Sequence, residues 1–183
     1  KEAILKAIGE AGVVGKGGAG FPTKVKLSPK EPDKIDYVIA NCAECGPYIT
    51  ADYRRMLENP EKLVGGMKAV LKLFGNAKGL IGVEDNKPDC IAKLKELTKD
   101  EPRMEVLALK TKYPQGGDRQ LIYATTGRAS NSSMLPADAG CVVDNVETLI
   151  NIYRAVVEGK PCYERVLTVS GDAVNETGNF LVP

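Results

Sequence analysis

Residues 15–26 read Gly15-Lys16-Gly17-Gly18-Ala19-Gly20-Phe21-Pro22-Thr23-Lys24-Val25-Lys26, which sets four glycines, an aromatic ring and lysines in one short segment. Glycine lacks a Cβ, so its backbone can lie against a ring or a phosphate and take positive φ, at an entropic cost that plain turns rarely accept repeatedly. Phe21 can stack on a planar ligand, and Lys26 can meet a phosphate or carboxylate. A flexible surface turn is the competing reading. The letters also fit G-x-G-x-x-G, but that dinucleotide fingerprint needs a strand before it and a long helix after it. Upstream, Ile4, Leu5 and Ile8 with Ala7 and Ala11 keep helical spacing up to Gly12; downstream, Pro22 and Pro29 leave room for one short helical turn. A standard Rossmann fingerprint is therefore rejected.

Three further segments carry chemical potential. Tyr113-Pro114-Gln115-Gly116-Gly117-Asp118 is a second glycine turn. Asp144-Asn145-Val146-Glu147-Thr148 reads as a helix start, with Asp144 as cap and Glu147 completing a capping box. Helix N-termini bind anions, so Asn145 and Thr148 are candidate phosphate contacts; pure capping would give the same letters. Cys42-Ala43-Glu44-Cys45 is a single C-x-x-C, half of a tetrahedral thiolate site. Neither a second pair, nor a histidine, nor a four-cysteine ferredoxin run completes it, so no metal site is expected. Cysteines lining a loop are preferred over a redox thiol pair.

Composition removes whole classes of mechanism. Histidine is absent, which excludes Ser-His-Asp and Cys-His nucleophiles, histidine-ligated zinc and histidine acid–base chemistry. Chemistry falls to carboxylates, lysines, thiols or a bound cofactor. With 25 basic and 24 acidic residues and no basic run, a nucleic-acid or anionic-membrane partner is not expected. No apolar stretch approaches the roughly 20 residues that span a bilayer, and the amphipathic opening segment does not read as a secretory leader. Five scattered cysteines argue for a reducing compartment, the cytoplasm by default. A first residue of Lys1 points to a piece of a longer protein.

The elements that must position these segments alternate. Ile35 to Ala40 predicts a buried strand ending at Asn41, followed by a ligand-type loop. Asn59-Pro60-Glu61 predicts an N-cap and helix start, and Leu63, Val64, Met67, Val70, Leu71 and Phe74 hold one face up to Gly75. A strand over 77–83, a helix over 88–97 and a strand over 104–109 follow; a helix runs from Asp144 to about Val157, and strand character returns from Arg165. Strands alternating with helices imply an α/β fold, a mostly parallel sheet with helices on both faces. Ligands bind beyond the carboxyl ends of such strands, so the loops after Ala40, after Leu109 and around Gly15 are expected to converge on one site.

Taken together, Val13 to Thr23, Asn41-Cys42-Ala43-Glu44-Cys45-Gly46-Pro47-Tyr48-Ile49-Thr50-Ala51-Asp52 and Tyr113-Pro114-Gln115-Gly116-Gly117 resemble the C-subunit family of Rnf electron-transport complexes, which is related to the flavin-binding, NADH-oxidising subunit of respiratory complex I. The similarity runs from Gly12 to about Ala173. It implies a modified Rossmann-like flavin-binding domain over residues 1–160, followed over 161–183 by the start of a small β-rich, β-grasp-like domain of the soluble-ligand-binding kind. It implies an oxidoreductase in which FMN accepts hydride from NADH and electrons leave singly through iron-sulfur clusters outside this fragment. Hydride transfer between two rings is the cofactors' own chemistry, which suits a chain without histidine.

Carried over by motif, Gly15, Gly17 and Gly18 would lie along flavin and nucleotide, with Phe21 near the dinucleotide rings and Lys26 as a polar or charge contact. Asn41 and Glu44 would reach the flavin's polar groups, Tyr113 and Gly116 would line a second wall, and Asp144, Asn145 and Thr148 would hold ribityl or phosphate. The implied partners are other subunits of a membrane complex or a partner reductase, with peripheral attachment through those subunits on the cytoplasmic face. The chain departs from the pattern at Gly46, where the family usually has an acid, and at Gly117-Asp118, where complex I relatives carry paired acids. A docking scaffold that has lost its cofactor, and a soluble component feeding a cobalamin or amino-acid reductase, are the alternatives.

Overall fold

The computed structural model describes residues 1–183. Helix α1 (Glu2–Glu10) buries Ile8 and stops at Ala11, after which Gly12 turns the chain through φ 67° in the left-handed region. The glycine loop follows, then the single-turn helix α2 (Thr23–Lys26) and a 3-10 turn at Pro32–Lys34. Four strands form the main sheet: β1 (Tyr37–Cys42), β2 (Lys78–Glu84), β3 (Met104–Leu109) and β4 (Cys141–Asn145), all parallel, in the order β3-β2-β1-β4. The chain leaves β1 towards β2 and β3 and returns on β1's other side with β4. That reversal opens a crevice beyond the carboxyl ends of β1 and β4, the usual ligand position in an open α/β sheet.

The alternation along each strand divides the core. Val38, Ala40, Cys42, Ile81 and Val83 face the large cluster built by α4 (Pro60–Leu71), α5 (Pro88–Thr98) and α7 (Val146–Val157), whereas Ile39, Leu80 and Val143 face a smaller cluster with Leu121 and Ile122 of α6 (Asp118–Thr126). Both faces are covered, as the alternating pattern predicts. No helix is long and apolar enough to cross a membrane. Past α7 the chain leaves the sheet and forms an antiparallel hairpin, β5 (Arg165–Val169) with β6 (Gly178–Val182).

Several elements differ from the sequence reading for identifiable reasons. Strand β1 begins two residues late because Asp36 and Tyr37 both donate their amides to Gly140 O, which delays the ladder. Helix α4 ends at Leu71, although Leu73 and Phe74 are buried beyond it; the Arg103 guanidinium draws the chain round by donating to Phe74 O (2.7 Å) and Ala77 O (2.6 Å). Asn59 stands at the cap position of α4 but turns its amide to Glu58 O, so it does not cap. Asn145, not Asp144, caps α7, its Oδ1 accepting from Glu147 N at 2.9 Å, and no capping box forms because the Glu147 carboxylate is held by Arg55. Strand β4 and the helix α3 (Ala51–Glu58) have no counterpart in the sequence reading.

Helices α4 and α7 approach so closely that a Cβ on Gly66 would collide with the Leu149 carbonyl. The overpacking outweighs the gain in helix propensity, so Gly66→Ala is expected to lower stability by about 1–3 kcal/mol. Gly75→Ala, where a Cβ meets nothing within 4 Å, is expected to stay within about 0.5 kcal/mol of the parent. Urea denaturation of the two variants measures both.

Candidate functional site

A cleft of ≈ 380 Å³ opens at the carboxyl ends of β1 and β4. Of the residues expected from sequence, Gly17, Gly18, Asn41, Glu44, Gly116 and Asn145 line it. Its volume lies in the range of roughly 300–1,000 Å³ typical of cofactor and small-molecule sites. A larger hollow of ≈ 1140 Å³ lies at the other end of these strands, beside Asp36, Arg128 and Gly140. Two ion pairs cross its lining, Arg128 with Asp36 and Lys34 with Glu31, both at 2.6 Å, and none of the site residues expected from sequence lies in it. The chemistry therefore belongs to the smaller cleft.

The glycine loop is a closed turn held at both ends. Gly15 N donates to Phe21 O at 2.8 Å, and Lys16 N donates to Thr148 Oγ1 at 2.9 Å on the first turn of α7. Gly18 and Gly20 take φ 131° and 64°, values that a side chain would resist. Gly17 passes so near the α7 cap that its missing Cβ would sit 3.5 Å from Asn145 Cβ. The amides of Gly17, Gly18 and Gly20 find no acceptor within the chain. The loop leads out of one helix and into a single helical turn, so its context is not that of a Rossmann fingerprint.

Opposite, Asn41 at the end of β1 donates from Nδ2 to Gly116 O (2.8 Å), and Gly116 N donates to Cys45 Sγ (3.3 Å). A Cβ on Gly116 would press on Asn41 Oδ1 and Cys45 Sγ, which explains a glycine there. Glu44 sits at φ 48° and aims its carboxylate at the start of α3, accepting from Asp52 N (2.7 Å) and Tyr53 N (2.9 Å). Asp52 in turn accepts from Asn145 Nδ2 at 2.6 Å, and Arg55 pairs with Glu147 at 2.6 Å. Desolvation, then repulsion from Asp52, raises the Glu44 pKa to about 7 against the pull of the two amides. Desolvation likewise lifts Asp52 to about 6, with the Asn145 hydrogen bond opposing it.

The other expected residues lie behind or beside the cleft. Lys26 Nζ donates to Val143 O and Asp144 Oδ1, both at 2.9 Å, beneath the sheet's carboxyl edge, so its charge is spent on a buried acid. Asp144 is fully buried with Oδ2 unpartnered, and desolvation raises its pKa despite Lys26. The Thr148 hydroxyl is taken by Lys16 N, and Gly15 serves through its backbone. Phe21 and Tyr113 are exposed outside the cleft wall. Sequence reasoning missed Lys16, Asp52, Glu147, Arg165 and Thr168, which all line the cleft. For Asp52 a signal existed in Thr50-Ala51-Asp52, a helix-start pattern inside an apparent loop. For Arg165 there was none.

Among known proteins, residues 8–154 match the model of the Nuo51 FMN-binding domain. The C subunit of the proton-translocating ferredoxin:NAD(+) oxidoreductase complex of Clostridium ljungdahlii is 49% identical over 98% of this chain and 39% of its own length. The C subunit of the Na(+)-translocating ferredoxin:NAD(+) oxidoreductase complex of Acetobacterium woodii is 50% identical over 94% of this chain and 39% of its own. The chain thus spans about two fifths of the curated relatives it matches. A crystal structure of an NAD+-reducing [NiFe]-hydrogenase in the air-oxidized state superposes with a TM-score of 0.83 and 26% identity over all of this chain and 36% of that one. The glycine loop, the crevice beside β1 and these matches agree: the chain belongs to the Nuo51 FMN-binding domain family, on the branch of the C-subunit proteins that the Rnf resemblance indicated.

Proposed function

We propose that the cleft holds FMN and that the domain takes hydride from NADH and passes electrons singly to iron-sulfur clusters elsewhere in the full-length protein or its complex. The observation that carries this reading is the convergence in one cleft of unpaired glycine-loop amides, the capped start of α7 and the Asn41–Gly116 contact. These groups fit the cofactor. The Cβ positions of Gly17 and Gly116 lie against Asn145 and against Asn41 and Cys45, so glycine lets these backbone walls pack closely on the rest of the cleft, and free amides beside a helix N-terminus suit a phosphate. Bound FMN supplies two-electron acceptance and one-electron release, chemistry that no side chain in the cleft possesses.

The chain's own contribution is position, exclusion and proton storage. The glycine loop and Gly116 stand on two walls of the cleft: Asn41 holds Gly116 to the end of β1 through Gly116 O, and Thr148 holds the glycine loop to α7. Desolvation brings the titration of Glu44 up to about neutral pH and that of Asp52 to about pH 6, so Glu44 can take up and release a proton near neutrality while Asp52 is mostly ionised there. Partner subunits of a ferredoxin:NAD(+) oxidoreductase complex, by analogy with the relatives, would receive the electrons and supply peripheral attachment to a membrane.

Titration with FMN is expected to quench flavin fluorescence, and anaerobic NADH is expected to bleach the visible band of the loaded protein. Gly17→Val, which places a branched side chain beside Asn145, is expected to cut FMN affinity by about tenfold or more with an unchanged melting temperature. No quenching by the parent protein at high micromolar FMN would refute the proposal.

The raised carboxylates also set a pH dependence. An acid whose folded pKa exceeds its unfolded value holds a proton in the folded state that the unfolded chain has released. Between roughly pH 4 and 7 the folded state therefore binds more protons, and stability falls as pH rises. Asp52 faces Glu44, Asn145 and Glu147, with Arg55 and Arg165 nearby. Asp52→Asn keeps an acceptor for Asn145 and removes the titration. The melting temperature of Asp52→Asn minus that of the parent is expected to rise between about pH 4 and 6 and then level off; a difference flat over that interval would contradict the raised Asp52 pKa.

A further inference from the structure

The charges lining the cleft are unequally satisfied. Each carboxylate is engaged: Glu147 by Arg55, Asp52 by Asn145, and Glu44 by two amides of α3. The two cations of the same lining are not. Lys16, from the glycine loop, and Arg165, at the start of β5, form no ion pair or side-chain hydrogen bond within the chain. A cleft whose anions are all partnered and whose cations are all unpartnered asks for an anionic ligand group. The free amides of Gly17 and Gly18 line the same space and favour the same sign of charge.

Arg165 reaches the cleft by a specific device. Thr168, three residues on in β5, accepts at Oγ1 from Thr50 N (3.0 Å) and Ala51 N (3.1 Å) at the start of α3, and donates to Asn179 Oδ1 (2.7 Å) on β6. Asn179 Nδ2 returns to the Thr50 side chain at 3.0 Å. This clasp joins both strands of the hairpin to α3 and makes Arg165, Val166, Leu167 and Thr168 a wall of the cleft. A guanidinium presents a rigid fork that matches phosphate oxygens in a way a lone ammonium does not.

We propose that Arg165, together with Lys16, binds the phosphate of the ligand in this cleft, and that the Thr168–Asn179 clasp is the positioning device that delivers it. The inference rests on the flavin reading above and assigns residues 165–168 to that site. The phosphate group has two sources, the monoester of FMN and the pyrophosphate of NADH, which share the chemistry that Arg165 would recognise.

The test compares ligands that differ by the phosphate, using equilibrium titration of the whole chain with FMN, riboflavin and ADP-ribose. The parent is expected to prefer FMN to riboflavin. Arg165→Gln is expected to lose about tenfold or more in FMN affinity while riboflavin affinity stays within about twofold. Arg165→Lys is expected to recover part of the loss, and Thr168→Val to reproduce it through the displaced hairpin. A loss confined to ADP-ribose would keep the proposal and assign the pyrophosphate as the source. Equal losses for FMN and riboflavin would reduce Arg165 to a packing wall, and no loss for any ligand would remove it from the site; either result overturns the inference while leaving the flavin reading standing. A parent that binds neither flavin overturns both. Arg165 is exposed on a hairpin outside the main sheet, so circular dichroism and melting are expected to match the parent.

Discussion

The site depends on how the first amides of helix α3 are satisfied. A helix start leaves donors without intrahelical partners, and α3 receives no capping bond from the side chain at its own cap position, Thr50. Its amides from Thr50 to Tyr53 are instead met from two distant parts of the chain, Thr168 Oγ1 on the hairpin and the Glu44 carboxylate beyond β1. The helix then holds α7 through Asp52–Asn145 and Arg55–Glu147. One short polar helix thereby ties the loop after β1, the start of α7 and the hairpin into a single frame. Remove its start and three walls of the cleft lose their common reference.

Holding that frame costs stability locally. Glu44 and Tyr48 occupy positive φ at 48° and 62°, which L residues adopt rarely and which cluster at functional sites. Glu44 and Asp52 are desolvated against their preference for charge. Asp144 is buried with one oxygen unmatched. The large cluster around Met67, Phe74, Ile81, Leu94 and Leu149 carries the opposite balance, apolar and fully buried. Packing there supplies the margin that the cleft draws on, consistent with the tight α4–α7 contact at Gly66.

The parts of the fold that were legible in sequence are those where periodicity is set by burial alone. Helix α5 and the start of α4 follow their apolar spacing because each lays one face on the large cluster, and strand β3 matches its predicted span of Met104–Leu109 while its buried residues are divided between the two clusters. Helix α3 escaped because its sequence, Ala51-Asp52-Tyr53-Arg54-Arg55-Met56-Leu57-Glu58, is mostly polar and is stabilised by remote caps and ion pairs, which no local window contains. Strand β4 escaped because Asp144 and Asn145 look like helix caps rather than strand residues; burial against Lys26 turns Asp144 inward and passes the capping role to Asn145. The placement of Gly17, Gly18, Gly116 and Asn41 at the cleft was readable because close backbone approach requires particular residue types. The bond from Lys26 to Asp144 was not readable, since a lysine bound for a ligand and one bound for a buried aspartate are the same letter.

The hairpin sharpens this limit. Helix α7 ends at Val157 and strand character resumes at Arg165, where the sequence suggested a change of unit. Yet β5 supplies Arg165 and Thr168 to a cleft whose other walls come from residues 16 to 147. Cys162 N donates to Ala11 O at 2.8 Å and Arg154 pairs with Glu164 at 2.6 Å, so the connection is fastened on both sides before the hairpin begins. A freely moving appendage would need neither fastening. In a chain without histidine the control of a bound cofactor falls to fixed charges and dipoles, and their value depends on being held at constant distance. The fastened hairpin holds β5 at a constant distance from α3, as the glycine loop's two end bonds hold its amides beside α7.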